Sequence, residues 1–411
     1  MTGAAPLELD VPEAGAAQHR ALTAGQLAAL LSADHLVELR PAPSGLWKIT
    51  GRRRVGVVRV GAGADAVVLN LLPKLPVSNV LFLLSYATKP DMWRQEVVTT
   101  EVERGLAPAL ADAYARIVHH ALANGVLHGY RETADNLPTL RGRIDVPAQI
   151  RACGLPLPVA VRFDDFTPDT AENRIVAGAL NRLMPLPALA PATRSALRHL
   201  TARLDGVTAL KPGAPLPAWT PNRLNTRYLH ALRMAELILA EQSPDLRSGS
   251  GAQLPGIAID LETVFEAFLA AALNQAARTR GLRCTAQDTH HRLDAARRIA
   301  IRPDVTLYRD AQPSTVLDAK YKASDRKPGH REDLYQITSY CTALGLPTGH
   351  LVYAHGPATP LTHRIGPHGT AITIHGIDLT RPPAQILAAT DDIMQHAVVQ
   401  ISRTPATRVQ T

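Results

Sequence analysis

The chain from about residue 251 onward alternates between helix-like and strand-like patterns, and this alternation limits the possible folds more than any other feature. Runs rich in Val, Ile, Thr and Tyr between Gly and Pro residues are typical of strands, whereas apolar residues three or four positions apart are typical of helices. The pattern predicts helices at 260–280, 331–344 and 383–400, and strands at 282–286, 298–308, 315–321, 349–354 and 371–375. This order favours a domain in which helices cover a mixed sheet.

Two further regions precede this domain. Short strand-like runs between Gly, Pro and Asp residues fill 35–75, so residues 1–95 are predicted to form a β-rich N-terminal domain. Residues 96–250 are predicted to be mainly helical, and the polar Ser/Gly-rich stretch 243–253 is typical of a domain boundary. The chain of 411 residues is therefore predicted to be a multidomain α+β protein, with the third domain at 251–411.

The composition narrows the partners and the compartment. A hydrophobic fraction of 46% and a charged fraction of 19% are those of a soluble globular protein, and the net charge of +8 favours a polyanionic partner. The three cysteines form no CxxC pair, which argues against a disulfide framework and a structural zinc site. The chain begins without a signal-peptide pattern and has no apolar run near the roughly 20 residues of a membrane span. We therefore expect a cytoplasmic protein with no membrane partner.

The segment 302–322 carries the residues with the clearest chemistry. Asp304 falls on one predicted strand, and Asp318 and Lys320 fall on the next, where the alternation of strand side chains places both on one face. A hairpin between the strands is expected to bring Asp304 beside Asp318 at a sheet edge. Adjacent carboxylates repel each other unless a cation lies between them, and their oxygens suit Mg²⁺ or Mn²⁺.

Lys320 then has a role beside such a cation. Its amine can orient or deprotonate an attacking water, or neutralise charge that develops on a phosphate. In the alternative interpretation Asp304 caps a turn, and Asp318 and Lys320 form a solvated pair. The apolar residues that flank both aspartates weigh against it, because charges at the ends of apolar strands are costly unless they are used.

Two predicted helices add polar residues at helical spacing. Glu262 and Glu266 lie four residues apart, and the apolar run VFEAFL around Glu266 predicts that this carboxylate points inward, whereas Glu262 is expected to be solvated. Gln336 and Tyr340 are also four residues apart, on the helix 331–344. Taken singly, each pair is typical of an ordinary helix surface.

In this order the features resemble the PD-(D/E)xK nuclease superfamily. The matching elements are Glu266, Pro303-Asp304, Asp318-Ala319-Lys320, and Gln336 with Tyr340. The forms DAKYK and YQITSY are most similar to the McrC family. The resemblance extends to LNLLPKLPVSNVLFLLSYA (69–87), GRIDV (142–146) and FDDFTPDTAENRIVAGAL (163–180), so it spans about 69–354.

The resemblance implies a restriction-endonuclease-like α/β/α fold for the C-terminal domain and a DNA endonuclease of a McrBC-type system for phage defence. It implies Mg²⁺, or Mn²⁺, held by Asp304, Asp318 and Glu266, with Lys320 and Gln336 completing the catalytic set. The implied partners are a McrB-like AAA+ GTPase hexamer, which the N-terminal part contacts, and double-stranded, modified DNA. The chain has no GxxxxGK[ST] motif, so we expect it to bind no nucleotide itself.

Two other interpretations of function stay open. The chain can be a RecB-like exonuclease or repair nuclease that works alone, or a scaffold that activates the GTPase ring without cutting.

Two basic clusters are candidates for contacts with DNA or a partner, although charge runs are usually solvated. One is Arg52-Arg53-Arg54, and the other consists of Arg292, Arg297, Arg298 and Arg302.

The sequence also predicts a helix at 78–88, for which Ser78 or Asn79 is a candidate N-cap.

Overall fold

The structure, a computed structural model, describes most of the chain: residues 6–13, 15–88, 90, 105–151, 157–211, 214–239, 256–294, 296–321, 330–366 and 369–403. The backbone divides into two compact units. One unit contains residues 1–110 and 254–411, and the other contains residues 111–253. Both ends of the chain therefore belong to the first unit. None of the helices in the described ranges combines the length and apolar character that a bilayer crossing requires.

The first unit begins with short strands, and the sequence predicts those between residues 35 and 75 but not the two before them. Its elements are β1 (Leu7–Pro12), β2 (Gln18–Arg20), α1 (Ala24–Leu31), β3 (Val37–Pro41), β4 (Trp47–Gly51), β5 (Arg54–Val60), β6 (Val67–Leu72) and α2 (Val77–Thr88). Alternate residues of β6, such as Leu69 and Leu71, are buried with Leu30 of α1 in one apolar core. Strands β2, β4 and β3 form a separate antiparallel sheet in the order β2-β4-β3.

The second unit is helical, with one small sheet. Its elements, counting the helix that begins at the end of the first unit, are α3 (Leu106–Ala121), β7 (Gly129–Leu137), β8 (Arg143–Ile144), α4 (Val146–Arg151), β9 (Val159–Thr167), α5 (Ala171–Leu183), α6 (Pro191–Arg203) and α7 (Leu229–Leu239). The strands pair antiparallel in the order β7-β9-β8. The sequence predicted β9 alone. The residues of β7 are almost all exposed or half-buried, so the strand lacks the apolar alternation that identifies a strand.

The run DTAENR in the second unit has a structural explanation. The Thr170 hydroxyl caps α5 by accepting from the backbone N–H of Asn173 at 3.2 Å, and the buried Asn173 amide donates to the carbonyl of Leu127 at 2.7 Å. The Arg174 guanidinium donates to Asp169 at 2.6 Å and holds the pKa of that carboxyl well below its usual range. These side chains join α5 to the part of the chain that precedes it.

The C-terminal part completes the first unit. Its elements are β10 (Gly256–Asp260), α8 (Leu261–Arg278), β11 (Arg283–Ala286), β12 (Val305–Arg309), β13 (Gln312–Lys320), α9 (Arg331–Leu344), β14 (Thr348–Ala354), β15 (Leu361–Ile365), β16 (Thr370–Ile377) and α10 (Pro383–Arg403). Six strands form a mixed sheet in the order β11-β12-β13-β14-β16-β15, in which β13, β14 and β16 are parallel. The prediction of a multidomain α+β protein with a mixed sheet is confirmed.

Two details of this sheet differ from the prediction. The strand expected at 298–308 begins only at Val305, because the backbone before it is occupied by a turn-rich loop that folds back on itself through an isolated bridge between Arg292 and Ala300. The edge strand β15 was not predicted. Its side chains are exposed or half-buried, so its sequence carries no strand periodicity.

Helices cover both faces of β13. Val316 belongs to an apolar core with Ile337 and Cys341 of α9, whereas the Tyr321 ring, just beyond the strand, lies 6.2 Å from the Phe265 ring of α8. Because strand side chains alternate, these contacts place α9 and α8 on opposite sides of the strand. The sheet is therefore a layer between helices.

Strand β10 joins the N-terminal and C-terminal parts of the first unit. It pairs antiparallel with β5, so the N-terminal sheet has the order β1-β6-β5-β10 and includes a strand from the C-terminal part. The strands approach closely at Gly56, where the φ is 141° and an added Cβ would lie 2.1 Å from the carbonyl oxygen of Ile257. Only glycine fits that position.

Asn79 links α2 to the end of the C-terminal sheet. The prediction that it caps the helix is wrong, since α2 begins at Val77 and the Asn79 amide donates to the carbonyls of Leu379 at 2.7 Å and Arg381 at 2.9 Å. Helix α2 also packs against α8, with the ring of Phe82 5.5 Å from that of Phe268. A buried amide with two carbonyl partners specifies one arrangement of α2 against the segment after β16.

We predict that Asn79→Ala lowers the free energy of unfolding by about 1–3 kcal/mol, because it leaves two carbonyls without their donor. Urea denaturation followed by circular dichroism measures the change. Asn136→Ala, at an exposed position of β7, is the matched control and should alter stability by less than about 0.5 kcal/mol. Equal stability of the two variants would show that the amide does not hold the junction.

Candidate active site

The hairpin of β12 and β13 brings the two predicted aspartates together. Val305 pairs with Leu317 in the antiparallel ladder, so Asp304 lies opposite Asp318. Asp304 itself precedes β12 rather than lying within it, and its Oδ2 accepts from the backbone N–H of Ala319 at 2.8 Å. The pair lies at the ends of central strands, so the expectation of a site on a sheet edge is wrong.

Gln287 holds the other side of Asp304. Its amide donates to Asp304 Oδ1 at 3.0 Å, and its backbone N–H donates to the Asp304 carbonyl at 2.9 Å. The sequence interpretation missed this residue. A signal was available, because pairing of β11 with β12 places Ala286 opposite Val305 and therefore puts Gln287 next to Asp304.

Asp318 and Lys320 share one face of β13, as the strand alternation predicts. The Lys320 ammonium forms an ion pair with Asp318 and donates to Gln336 Oε1 at 2.9 Å. The Gln336 amide in turn donates to the Tyr340 hydroxyl at 2.9 Å. The structure therefore connects α9 to the strand through three polar side chains that the sequence singled out.

The environment of these carboxylates opposes their ionisation. Burial and the neighbouring Asp304 raise the pKa of Asp318 to about 7, and burial also raises the pKa of Asp304. Burial lowers the pKa of Lys320, but the attraction of Asp318 outweighs it and the net shift is upward, which keeps the amine protonated at neutral pH. The site thus concentrates negative charge in a poorly hydrated place, and a cation would relieve it.

Glu266 approaches the aspartates from α8. It is half-buried, and burial together with the charge of Asp304 raises its pKa to about 7. In the part of the chain that the structure describes, no three His, Cys, Asp or Glu side chains are grouped closely enough to hold a metal ion by themselves. The role of Glu266 as a metal ligand stays a prediction.

The donor set of Asp304 and Asp318 fits magnesium. Mg²⁺ usually retains several waters and is bound by one or two carboxylates together with substrate phosphates. Two buried carboxylates that repel each other supply such ligands and gain stability when a cation lies between them. The residues present can therefore hold the ion, with solvent and a phosphate completing its shell.

The first basic cluster makes contacts within the first unit. Arg53 forms an ion pair with Glu262 at 2.9 Å, and Arg54 lies 3.6 Å from Asp260. The Arg52 side chain donates to the carbonyl of Asp34 at 2.6 Å. The expectation that Glu262 is solvated is wrong, because the N-terminal strands place a guanidinium beside it.

The second basic cluster lies in the loop before β12. Arg292 donates to the carbonyl of Thr289 at 2.6 Å, and Arg298 lies 3.7 Å from Asp294 while its side chain is mostly exposed. Its contact with phosphates stays a prediction.

Fold and site together define the class of this protein. It is a multidomain α+β protein whose central mixed sheet carries a buried aspartate pair and an adjoining lysine. A family model described as "McrBC 5-methylcytosine restriction system component" matches residues 49–354, more than half of the chain. The chain belongs to this family, as its motifs predict.

Two solved structures are similar to this chain. The first is a refined half-complex from the tetradecameric assembly of Thermococcus gammatolerans McrB AAA+ hexamers with bound McrC, with a TM-score of 0.50 at 16% identity over 95% of this chain and 99% of that one. The second is a cryo-EM structure of the Thermococcus gammatolerans McrBC complex, with a TM-score of 0.40 at 18% identity over 66% and 88%. At such identity the first likeness concerns the fold alone. No protein of curated function matches the chain.

The raised pKa of Asp318 predicts how stability depends on pH. Its pKa is about 7 in the folded chain against an ordinary value of 3.8, so the folded state holds a proton that the unfolded state releases. Without divalent cations, stability should therefore fall as the pH rises from about 4 to 7, and ionised Asp318 should cost the folded state free energy at pH 8. We predict that Asp318→Asn raises the free energy of unfolding at pH 8 by about 1–3 kcal/mol.

Chemical denaturation in EDTA at pH 5 and pH 8 measures this effect. The stabilisation should be smaller at pH 5, where the folded wild-type side chain is already protonated. Asp310→Asn, in the exposed turn of the same hairpin, is the matched control and should leave stability nearly unchanged. An Asp318→Asn variant that is less stable than the wild type at pH 8 would contradict the electrostatic account.

Proposed function

We propose that this chain is the DNA-cleaving subunit of a McrBC-type restriction system. It hydrolyses phosphodiester bonds of modified double-stranded DNA with Mg²⁺, or Mn²⁺, when an AAA+ GTPase partner activates it, and it acts in the cytoplasm against foreign DNA. The observation that carries the proposal is the buried Asp304–Asp318 pair, which one hairpin holds beside Lys320.

Each residue of the proposed site has a separate task. Asp304 and Asp318 hold the cation, with Glu266 as a third acidic group, and Gln287 fixes the orientation of Asp304. When bound, Mg²⁺ supplies Lewis-acid polarisation of a phosphate oxygen. Burial of the carboxylates strengthens their hold on the cation, since few waters compete for it.

Lys320 acts as a cation in this proposal. Its raised pKa keeps the ammonium charged, so it neutralises the negative charge that develops on the phosphate in the transition state. Gln336 is a positioning residue, because its carbonyl oxygen receives the Lys320 ammonium while its amide is bound to Tyr340. Of the roles predicted for Lys320, deprotonation of water is the least compatible with this charge state.

The partner follows from family membership. The half-complex that resembles this chain contains McrB AAA+ hexamers with bound McrC. We propose that a McrB-like hexamer binds this chain and supplies the GTP hydrolysis and the choice of modified DNA.

Cleavage of methylated and unmethylated plasmid tests the proposal. We predict cutting that requires Mg²⁺, GTP and the partner, with Asp318→Asn, Asp304→Asn and Lys320→Met each lowering the rate by about 10²–10³-fold or more. Asp310→Asn should cut at the wild-type rate. Full activity of Asp318→Asn would refute the site assignment.

The same assay separates the two other candidate functions. Degradation of linear DNA by this chain alone would favour a stand-alone exonuclease. Stimulation of the partner's GTPase without any cutting would favour a scaffold. The intact Asp304, Asp318 and Lys320 argue against the scaffold.

Metal binding provides a test without cleavage. We predict that millimolar Mg²⁺ raises the melting temperature of the wild-type chain, because a ligand that binds only the folded state stabilises it. The Asp304→Asn/Asp318→Asn double variant should show no such rise, and Asp310→Asn should respond like the wild type. Scanning calorimetry with Mg²⁺ and with EDTA makes the comparison, and an equal rise in the double variant would place the cation elsewhere.

A further inference from the structure

Tyr321 follows Lys320 directly, and two residues adjacent to the N-terminal strands contact its hydroxyl and its backbone carbonyl. It lies just beyond the last pair of the β13–β14 ladder, in which Lys320 faces Tyr353. Its position therefore depends on contacts outside that ladder. Those contacts come from Glu13, which follows β1, and Arg53, which precedes β5.

The Tyr321 side chain is bound through its hydroxyl. It donates to Glu13 Oε2 at 3.1 Å, and the backbone N–H of Lys74 approaches the same oxygen at 3.4 Å. Glu13 is only 2% exposed, and burial raises its pKa. A buried carboxylate is costly unless it is hydrogen-bonded. The hydrogen bond from Tyr321 thus offsets part of the free energy that burial of the Glu13 carboxylate costs.

The Tyr321 backbone is bound as well. Its carbonyl oxygen accepts from Arg53 Nη1 at 3.4 Å, and the same guanidinium forms the ion pair with Glu262 on α8. Carbonyls at a strand end need a partner once the ladder has stopped. Arg53 supplies it and at the same time ties the strand end to α8.

These contacts bear on the position of the Lys320 ammonium. Lys320 and Tyr321 share one planar peptide unit, so a rotation of the backbone at Tyr321 also moves Lys320. The ammonium must meet both Asp318 and Gln336, and a displacement of about 1 Å can cost about 10²-fold in rate at a catalytic site. The strand end is therefore a place where distant residues can control the site.

We propose that Glu13 and Arg53 are positioning residues, which act through Tyr321 to hold Lys320 in its catalytic place. This proposal rests on the proposed nuclease function. It makes the segments around Glu13 and Arg53 part of the nuclease machinery, and Lys320 is then fully ordered only when these segments contact Tyr321.

Tyr321→Phe tests the proposal in the full chain with partner, GTP and Mg²⁺. The change removes the hydroxyl that donates to Glu13 and keeps the ring against Phe265. We expect kcat for cleavage to fall about ten- to a hundredfold, with KM for DNA and the Mg²⁺ requirement unchanged. Tyr335→Phe, at an exposed position of α9, is the matched control and should retain wild-type kcat. Wild-type kcat in Tyr321→Phe would overturn the proposal.

Glu13→Gln and Glu13→Ala separate positioning from simple packing. Glutamine retains an oxygen that accepts from Tyr321, so Glu13→Gln should retain a kcat near the wild-type value. Glu13→Ala removes the acceptor, so its kcat should fall as in Tyr321→Phe. Melting temperatures show whether each variant is folded at the assay temperature. Equal loss of kcat in folded Glu13→Gln and Glu13→Ala would overturn the role of the hydrogen bond.

Amide hydrogen exchange distinguishes failure of this proposal from failure of the nuclease assignment. Should the wild-type chain cut no DNA, the nuclease function fails, and the positioning contact is still tested by exchange at the amides of Ala319 and Lys320. We expect Tyr321→Phe to speed exchange there about tenfold while Tyr335→Phe leaves it unchanged. Equal exchange in Tyr321→Phe and the wild type would show that Tyr321 does not hold the strand end.

Discussion

The register between β12 and β13 is the constraint on which the candidate site depends. It places Asp304 opposite Asp318, and the bond from the Ala319 N–H to Asp304 fixes the first carboxylate against the backbone that carries the second. A shift by one residue would turn every side chain of β13 to its other face. The surrounding sheet keeps that register because β13 is also paired with β14, as a central strand.

The buried pair of Asp304 and Asp318 lowers the stability of the fold. Two buried carboxylates oppose each other's ionisation, and Lys320 together with the N–H of Ala319 offsets part of that cost. Active sites commonly retain such unfavourable charge because it binds ligands tightly. The rest of the first unit compensates through continuous apolar cores and through specific polar contacts such as that of Asn79.

Local sequence was sufficient to predict the hairpin with Asp304, Asp318 and Lys320, and the helix bearing Gln336, because each depends on periodicity within about 20 residues. Local sequence did not predict contacts between distant segments. The pairing of β10 with β5 and the ion pair of Arg53 with Glu262 join positions some 200 residues apart, and no local pattern encodes them. Gln287 is an intermediate case, because predicting its position next to Asp304 requires the pairing of β11 with β12.

We propose that Asp304 and Asp318 together hold a divalent cation. A crystal of the full chain grown with Mn²⁺, measured for anomalous scattering, tests it most directly. We predict an anomalous peak within about 2.5 Å of carboxylate oxygens of both aspartates, and none there in Asp318→Asn. A wild-type crystal without that peak, or with Mn²⁺ bound at other residues, would show that the two aspartates are not the cation site.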